Sequence, residues 1–483
     1  MTHHNTASRI SRRRLVQGAA WSAPVILASA TVPAWAASGE PTCSPALTLK
    51  PTATGFDDKA GAYTEWLVPE GVGRVRFDLV GGAGGAASSF TPRYLTDVTN
   101  AALAGGGAGA QLSGVLAVKS GDILRVWAGN GGVGSAAGAQ PALGGEGYAA
   151  GGDSTGSSTA TGAAQVVGGT DSGYVYGASG GGSSAVELVR DGAVTVVAVA
   201  GAGGGGAQLG TLTTHQSLFN AQPKDQLNPA LRVALDGRDA STTAGGSAGG
   251  DLGTDNTGQG GMLMASPYQE FKPLDEDDKT LDMRFMVTGG TAGRSGVAGT
   301  LGEALAGVLD ENNELKLMPM SESWFDSYDF PRYYRYEGDS VHEGEKGTGG
   351  ANATGSYRGK GGSGALLSRT HGKLSLTSVA SGGGAGYGGG GAGLNIWTVG
   401  SYYEGVFGRQ VQFEGEGNIY SLSALSSGGG AGGSYINHEV VSDFALATAQ
   451  NANPTAGVRS PGSAALYSCT ENATLNTPIT EGA

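Results

Sequence analysis

The run Ser381 to Leu394, SGGGAGYGGGGAGL, sets the hardest constraint on how this chain can fold. Sister runs lie at Gly81 to Gly85, Gly105 to Gly109, Gly144 to Gly152, Gly180 to Gly182, Gly201 to Gly206 and Gly428 to Gly433. Segments so poor in side chains cannot build a conventional hydrophobic core, and glycine loses more backbone freedom on ordering than any other residue. The runs alternate with compact apolar segments that read as strands, among them Val75 to Val80, Val115 to Val118, Ile123 to Trp127 and Val194 to Ala200. Flexible glycine linkers are usually diluted with serine and stand alone between domains, so this interleaving favours order over a linker.

The ordered solution for such runs is a bundle of extended helices with three residues per turn, of the polyproline II type but made from glycine (polyglycine II). That helix has no internal hydrogen bonds, so burying it requires each N–H and C=O to find a partner on a neighbouring chain. Only backbones without Cβ approach closely enough, as at the collagen axis. The remaining strands are short: Ala46 to Thr52, Ala62 to Val68, Arg74 to Val80 after a Pro69–Gly73 turn, and Leu281 to Thr288. Leu301 to Leu309 reads as the one helix. The expected class is therefore all-β with an inserted glycine-rich bundle and very little α-helix.

The N-terminus is the most specific signal. Ser11-Arg12-Arg13-Arg14-Leu15-Val16 resembles the twin-arginine export motif, centred on Arg12 and Arg13; an apolar stretch from Ala19 to Val32 and the small residues of Ala34-Trp35-Ala36 follow. A signal peptide over 1–36 and a mature domain over 37–483 are expected, released from the cell with no stable membrane anchor. The resemblance implies bacterial origin and export after folding. Formal charge is −13; loss of Arg9, Arg12, Arg13 and Arg14 takes Lys+Arg from 29 to 25 against 42 Asp+Glu, or −17. That balance disfavours nucleic acid and anionic membranes, which are held by Lys and Arg clusters. The two cysteines, Cys43 and Cys469, read as one disulfide in an exported protein; no CxxC supports zinc or redox chemistry.

Several segments, in order, carry a family resemblance: Tyr63 to Gly85 (YTEWLVPEGVGRVRFDLVGGAGG), Leu112 to Trp127, Gly180 to Glu187, Val194 to Gly206, Gly428 to Ile436 and Gly462 to Tyr467. Together they resemble the glycine-rich domains of bacterial surface and phage tail proteins. They are also similar to the glycine-rich extracellular domains of the anaplastic lymphoma kinase and leukocyte tyrosine kinase receptors. The resemblance implies a jelly-roll, tumour-necrosis-factor-like β-sandwich whose loops hold polyglycine helices. It implies a role by analogy only, as a rigid platform for displayed loops, with no binding residues to carry over.

Between about 208 and 346 glycine thins, and long loops of this kind are often functional. This insertion contains the aromatic cluster Trp324, Phe325, Tyr328, Phe330, Arg332, Tyr333, Tyr334 and Tyr336. Rigid aromatics mixed with arginine suit a protein or glycan contact, and they suit packing over a sheet or bundle edge still better. Asp275-Glu276-Asp277-Asp278 lacks the spacing of a calcium loop and reads as a solvated charge run. The GxSxG matches at Ser179 and Ser247 lack the following helix of a nucleophile elbow, and His215, His342, His371 and His438 show no metal-ligand spacing. No metal or cofactor is expected. The sequence thus points to a secreted, non-catalytic adhesion-type or structural module with an unidentified protein or glycan ligand. The alternative is a secreted hydrolase using a carboxylate pair drawn from Asp275, Glu276, Glu303, Asp326 and Asp329.

Overall fold

The computed structural model describes residues 43–51, 62–86, 105–134, 142–154, 177–206, 289–294, 296–309, 349–352, 358–371, 374–400, 421–455 and 457–469. It also describes short strands at 163–166, 172–174, 212–214, 251–252, 263–265, 283–287, 315–319 and 341–343. The expected signal segment, with Arg12 and Arg13, lies outside the described residues. Every regular element among them is a β-strand, and every strand pairing is antiparallel.

Two sheets form a sandwich. The first has the spatial order Cys43–Leu49, Ser463–Cys469, Arg74–Val80, Ala110–Ala117, Val441–Thr448; the second runs Asp251–Leu252, Ser434–Ile436, Ala193–Ala200, Ser184–Arg190, Ile123–Trp127, Thr64–Leu67. The alternation read in RVRFDLV is realised: Val75, Phe77 and Leu79 are fully buried while Arg74 and Arg76 face outward. They meet Leu124, Val126, Val186 and Leu188 from the second sheet in one continuous apolar core. Each such side chain removed from water stabilises the fold by about 1.5–3 kcal/mol. Gly114 stands opposite Phe77 in the register, where an added Cβ would sit 2.7 Å from both the Phe77 ring and a Val441 methyl.

The ends of this described body are joined covalently. Cys43 and Cys469 face each other as register partners and form the disulfide expected from the sequence, spanning 426 residues. The first strand consequently starts at Cys43, three residues earlier than its apolar content suggested. A disulfide of this kind fits a non-reducing compartment. Among the described residues no helix is long and apolar enough to cross a membrane.

One expectation is overturned. The segment read as a helix contains the strand Ala304–Leu309, paired on one side with Met283–Val287 and on the other with Leu315–Pro319. Ala, Leu and Gly in so short an apolar run suit either state, and two flanking strands that satisfy its backbone decide for the sheet. Strands from the glycine-poor insertion contribute to three of the five sheets among the described residues, and Asp251–Leu252 joins the edge of the sandwich beside Ser434 and Tyr435.

The glycine runs continue directly from strand ends and bond to one another through the main chain. In 201–206, Ala202 and Gly205 donate to Ala385 and Gly382, while Gly203 and Gly206 donate to Gly82 and Gly85, all at 2.8–3.0 Å. The carbonyls of the same run accept in pairs: Gly204 and Gly201 from Gly107 and Ala110, Gly205 and Ala202 from Gly429 and Gly432. Gly181 bonds the remaining Gly203 carbonyl. Partners recur every third residue, so one run is bonded to five others. The spacing tolerates no side chain at the contact, since a Cβ on Gly203 would lie inside the Gly107 carbonyl. Buried serines complete the network where the main chain runs out: the Ser434 hydroxyl accepts from the Gly201 N–H, and Ser381 donates to the Gly206 carbonyl.

Two runs fold back on themselves in the same way. In 142–154, Gly151 donates to Gly145 and Ser154 to Ala142; in 381–393, Gly390 donates to Gly384 and Gly393 to Ser381. Each hairpin has a tyrosine at its tip, Tyr148 or Tyr387. The tip N–H bonds the residue just before a strand of the second sheet, Ser183 for Tyr148 and Gly433 for Tyr387, at 2.8 Å in both cases.

Candidate functional site

The outer face of the second sheet carries a concentration of charge and aromatic rings. Strand alternation puts Arg125 and Trp127 on the face opposite to the core residues Leu124 and Val126. The register then aligns two rows: Glu65, Arg125 and Glu187 across three strands, and Trp127, Ala185, Val199 and Tyr435 across four. The glycine hairpins lay their tip tyrosines over the second row. Tyr148 meets Trp127 edge-on with ring centres 5.1 Å apart, and Tyr387 stacks on Tyr435 at 4.0 Å. Tyr63, just ahead of its strand and about half exposed, tilts against Trp127 at 5.1 Å.

Charge is arranged tightly around these rings. Arg125 donates to Glu65 at 3.0 Å and lies over the Tyr63 ring. Arg358, on a turn of the glycine-rich segment 358–365, places its guanidinium 5.1 Å from the Trp127 ring centre and 4.8 Å from that of Tyr148. Its carboxylate partner is Glu187, whose side chain is only 5% exposed and stands 3.9 Å away. Burial pushes the Tyr148 phenol well above its ordinary value, and the neighbouring Glu187 carboxylate adds to the shift. A phenol so placed stays protonated and serves as a hydrogen-bond donor, not as a base.

A second ion pair on the same sheet holds a turn. Arg190 bonds both oxygens of Asp122 at 3.0 and 2.7 Å, and the Lys119 N–H donates to the same carboxylate at 2.7 Å. The Arg190 hydrogen bond holds the Asp122 carboxyl below its usual range, against the opposing pull of burial.

The aromatic cluster Trp324, Phe325, Tyr328, Phe330, Arg332, Tyr333, Tyr334 and Tyr336 lies outside the described residues, as do Asp275, Glu276, Asp326 and Asp329. Glu303 is described and exposed. Ser179, one of the two GxSxG serines, is fully buried; its hydroxyl donates to the Leu143 carbonyl and accepts from the Val133 N–H. It is part of the glycine network. Among the described residues no group of His, Cys, Asp and Glu is arranged to hold a metal ion.

The cluster of Trp127, Tyr148, Glu187 and Arg358 was not singled out from the sequence. A signal existed in the matching hairpins GGEGY and GGAGY, which place a tyrosine at the same point of two glycine runs. Comparison of the chain with protein-family models and with curated proteins finds no match, so the geometry of this face is the basis for any functional reading.

Proposed function

We propose that this chain is an exported, non-catalytic recognition or structural module. In this reading its scaffold is a jelly-roll-type sandwich extended by polyglycine II helices, as in the glycine-rich domains that its sequence resembles. The observation that carries the reading is the main-chain bonding of 201–206 to five neighbouring runs with a three-residue recurrence. A linker gains nothing from such bonding; a platform gains rigidity, because each run is fixed by partners on several sides. The disulfide between the two ends and the acidic composition agree with service outside a reducing compartment.

The module presents loops and the exposed rim of its aromatic face, at Tyr63 and Arg358, to a protein or glycan. The deciding experiment is an array of glycans and surface proteins probed with the full mature chain. Saturable binding to a defined member supports recognition. Silence across the array, with the protein folded, would reject recognition and leave the purely structural role.

A further inference from the structure

We propose that Trp127, Tyr148 and Glu187 form a seat for an arginine side chain of a partner protein, and that Arg358 is a built-in occupant which the partner displaces. The inference rests on the recognition reading above and names the chemistry of the partner.

The seat has the parts that bind an organic cation. Two aromatic walls stand nearly at right angles, 78° between ring planes, and a guanidinium lies within about 5 Å of both ring centres. Their negative ring faces attract a cation most strongly where water is excluded, and both Trp127 and Tyr148 are buried. Glu187 places a buried carboxylate beside them. Arg125 stands across from Glu187 in the register, but its guanidinium bonds Glu65.

The occupant is held more loosely than the arginine of the second ion pair. Its distance of 3.9 Å to Glu187 is beyond hydrogen bonding, whereas Arg190 meets Asp122 at 2.7 Å. The Arg358 side chain is 42% exposed, so it occupies the mouth of the seat. Its backbone has a φ of +40° in a two-residue turn with Gly359 at +63°, a conformation that costs energy for a residue with a side chain. A partner guanidinium can therefore replace the Arg358 side chain at the mouth of the seat. The acidic balance of the chain, −13, favours a cationic partner.

The test is a titration of the full mature protein with N-acetyl-arginine amide, followed by the indole N–H of Trp127 and the Nε–H of Arg358 in 15N NMR spectra. Assignments come from Trp127→Phe and Arg358→Lys. Displacement predicts saturable, coupled shifts of both signals in the wild type in the millimolar range, as suits a ligand of this size. It also predicts binding about tenfold tighter in Arg358→Ala if the native side chain fills the seat nine-tenths of the time. Loss of the shift in Glu187→Gln completes the expectation.

No shift in the wild type overturns displacement, even if Arg358→Ala binds, because the native side chain is then a permanent plug. Equal response to N-acetyl-lysine amide overturns the choice of arginine. Should Arg358→Ala fail to fold, the wild-type titration decides alone. A silent glycan and protein array beside a positive titration rejects the partner protein and leaves only a site for a free guanidinium, whereas a failed titration leaves the array reading standing.

Discussion

Replacing Gly203 by alanine tests the glycine network at a contact made of backbone alone. The new Cβ would overlap the Gly107 carbonyl and come within 2.9 Å of the Ala108 oxygen, both backbone groups that cannot rotate away. Relief requires 201–206 to move from 105–110, which stretches the bonds from Gly107 to Gly204 and from Ala110 to Gly201. Overpacking alone costs about 1–3 kcal/mol. Two weakened buried bonds add about 1 kcal/mol each, more if a group is left unpaired. The sum, about 3–5 kcal/mol, is a large share of the roughly 5–15 kcal/mol that stabilises an ordinary domain. Gly349→Ala is the control, because its Cβ would meet only the Gly299 oxygen at 3.3 Å; it should cost less than about 1 kcal/mol. Guanidinium unfolding followed by circular dichroism measures both. Equal midpoints for the two variants would refute close main-chain packing of these runs.

Asp122 titrates with a folded pKa below its ordinary value near 3.8, so its contribution is present above that value and is lost as pH falls through the folded pKa. Asp122→Asn should therefore flatten the loss of stability below about pH 4 and lower stability at neutral pH, as read by melting scans between pH 2 and pH 7. Opening the Cys43–Cys469 bridge, as Cys43→Ser with Cys469→Ser, should destabilise by up to roughly 6 kcal/mol for a loop this long; unchanged unfolding would mean that the unfolded chain is not constrained by the link. Tyr387→Leu removes the ring stacked on Tyr435, and should destabilise by about 1–3 kcal/mol in the same assay.

The strands of the sandwich were legible because two-residue alternation is written plainly in RVRFDLV and ILRVW, and burial on one face follows from it. Order in the glycine runs was legible from their interleaving with strands, before any partner was known. Their partners were not, since glycine runs look alike and the choice of Gly382 for Gly205, or Gly85 for Gly206, is made by distant segments. Leu301 to Leu309 misled for a related reason: the strand within it is selected by neighbours on both sides, and its local pattern is neutral. The Trp127 cluster was hidden because its members come from separate parts of the chain. Only strand register brings Glu187 beside Arg125, and only the first glycine hairpin and the turn at 358–359 bring Tyr148 and Arg358 onto that face.

Amide exchange across Gly382 to Gly393 tests the account most directly. These N–H groups bond to Ala178, Gly362, Gly430 and other carbonyls while carrying almost no side chains to shield them. Protection close to that of the strand Arg74–Val80 is the predicted result. Deuterium uptake as fast as in a free glycine peptide would contradict the network, and the rigid platform built on it.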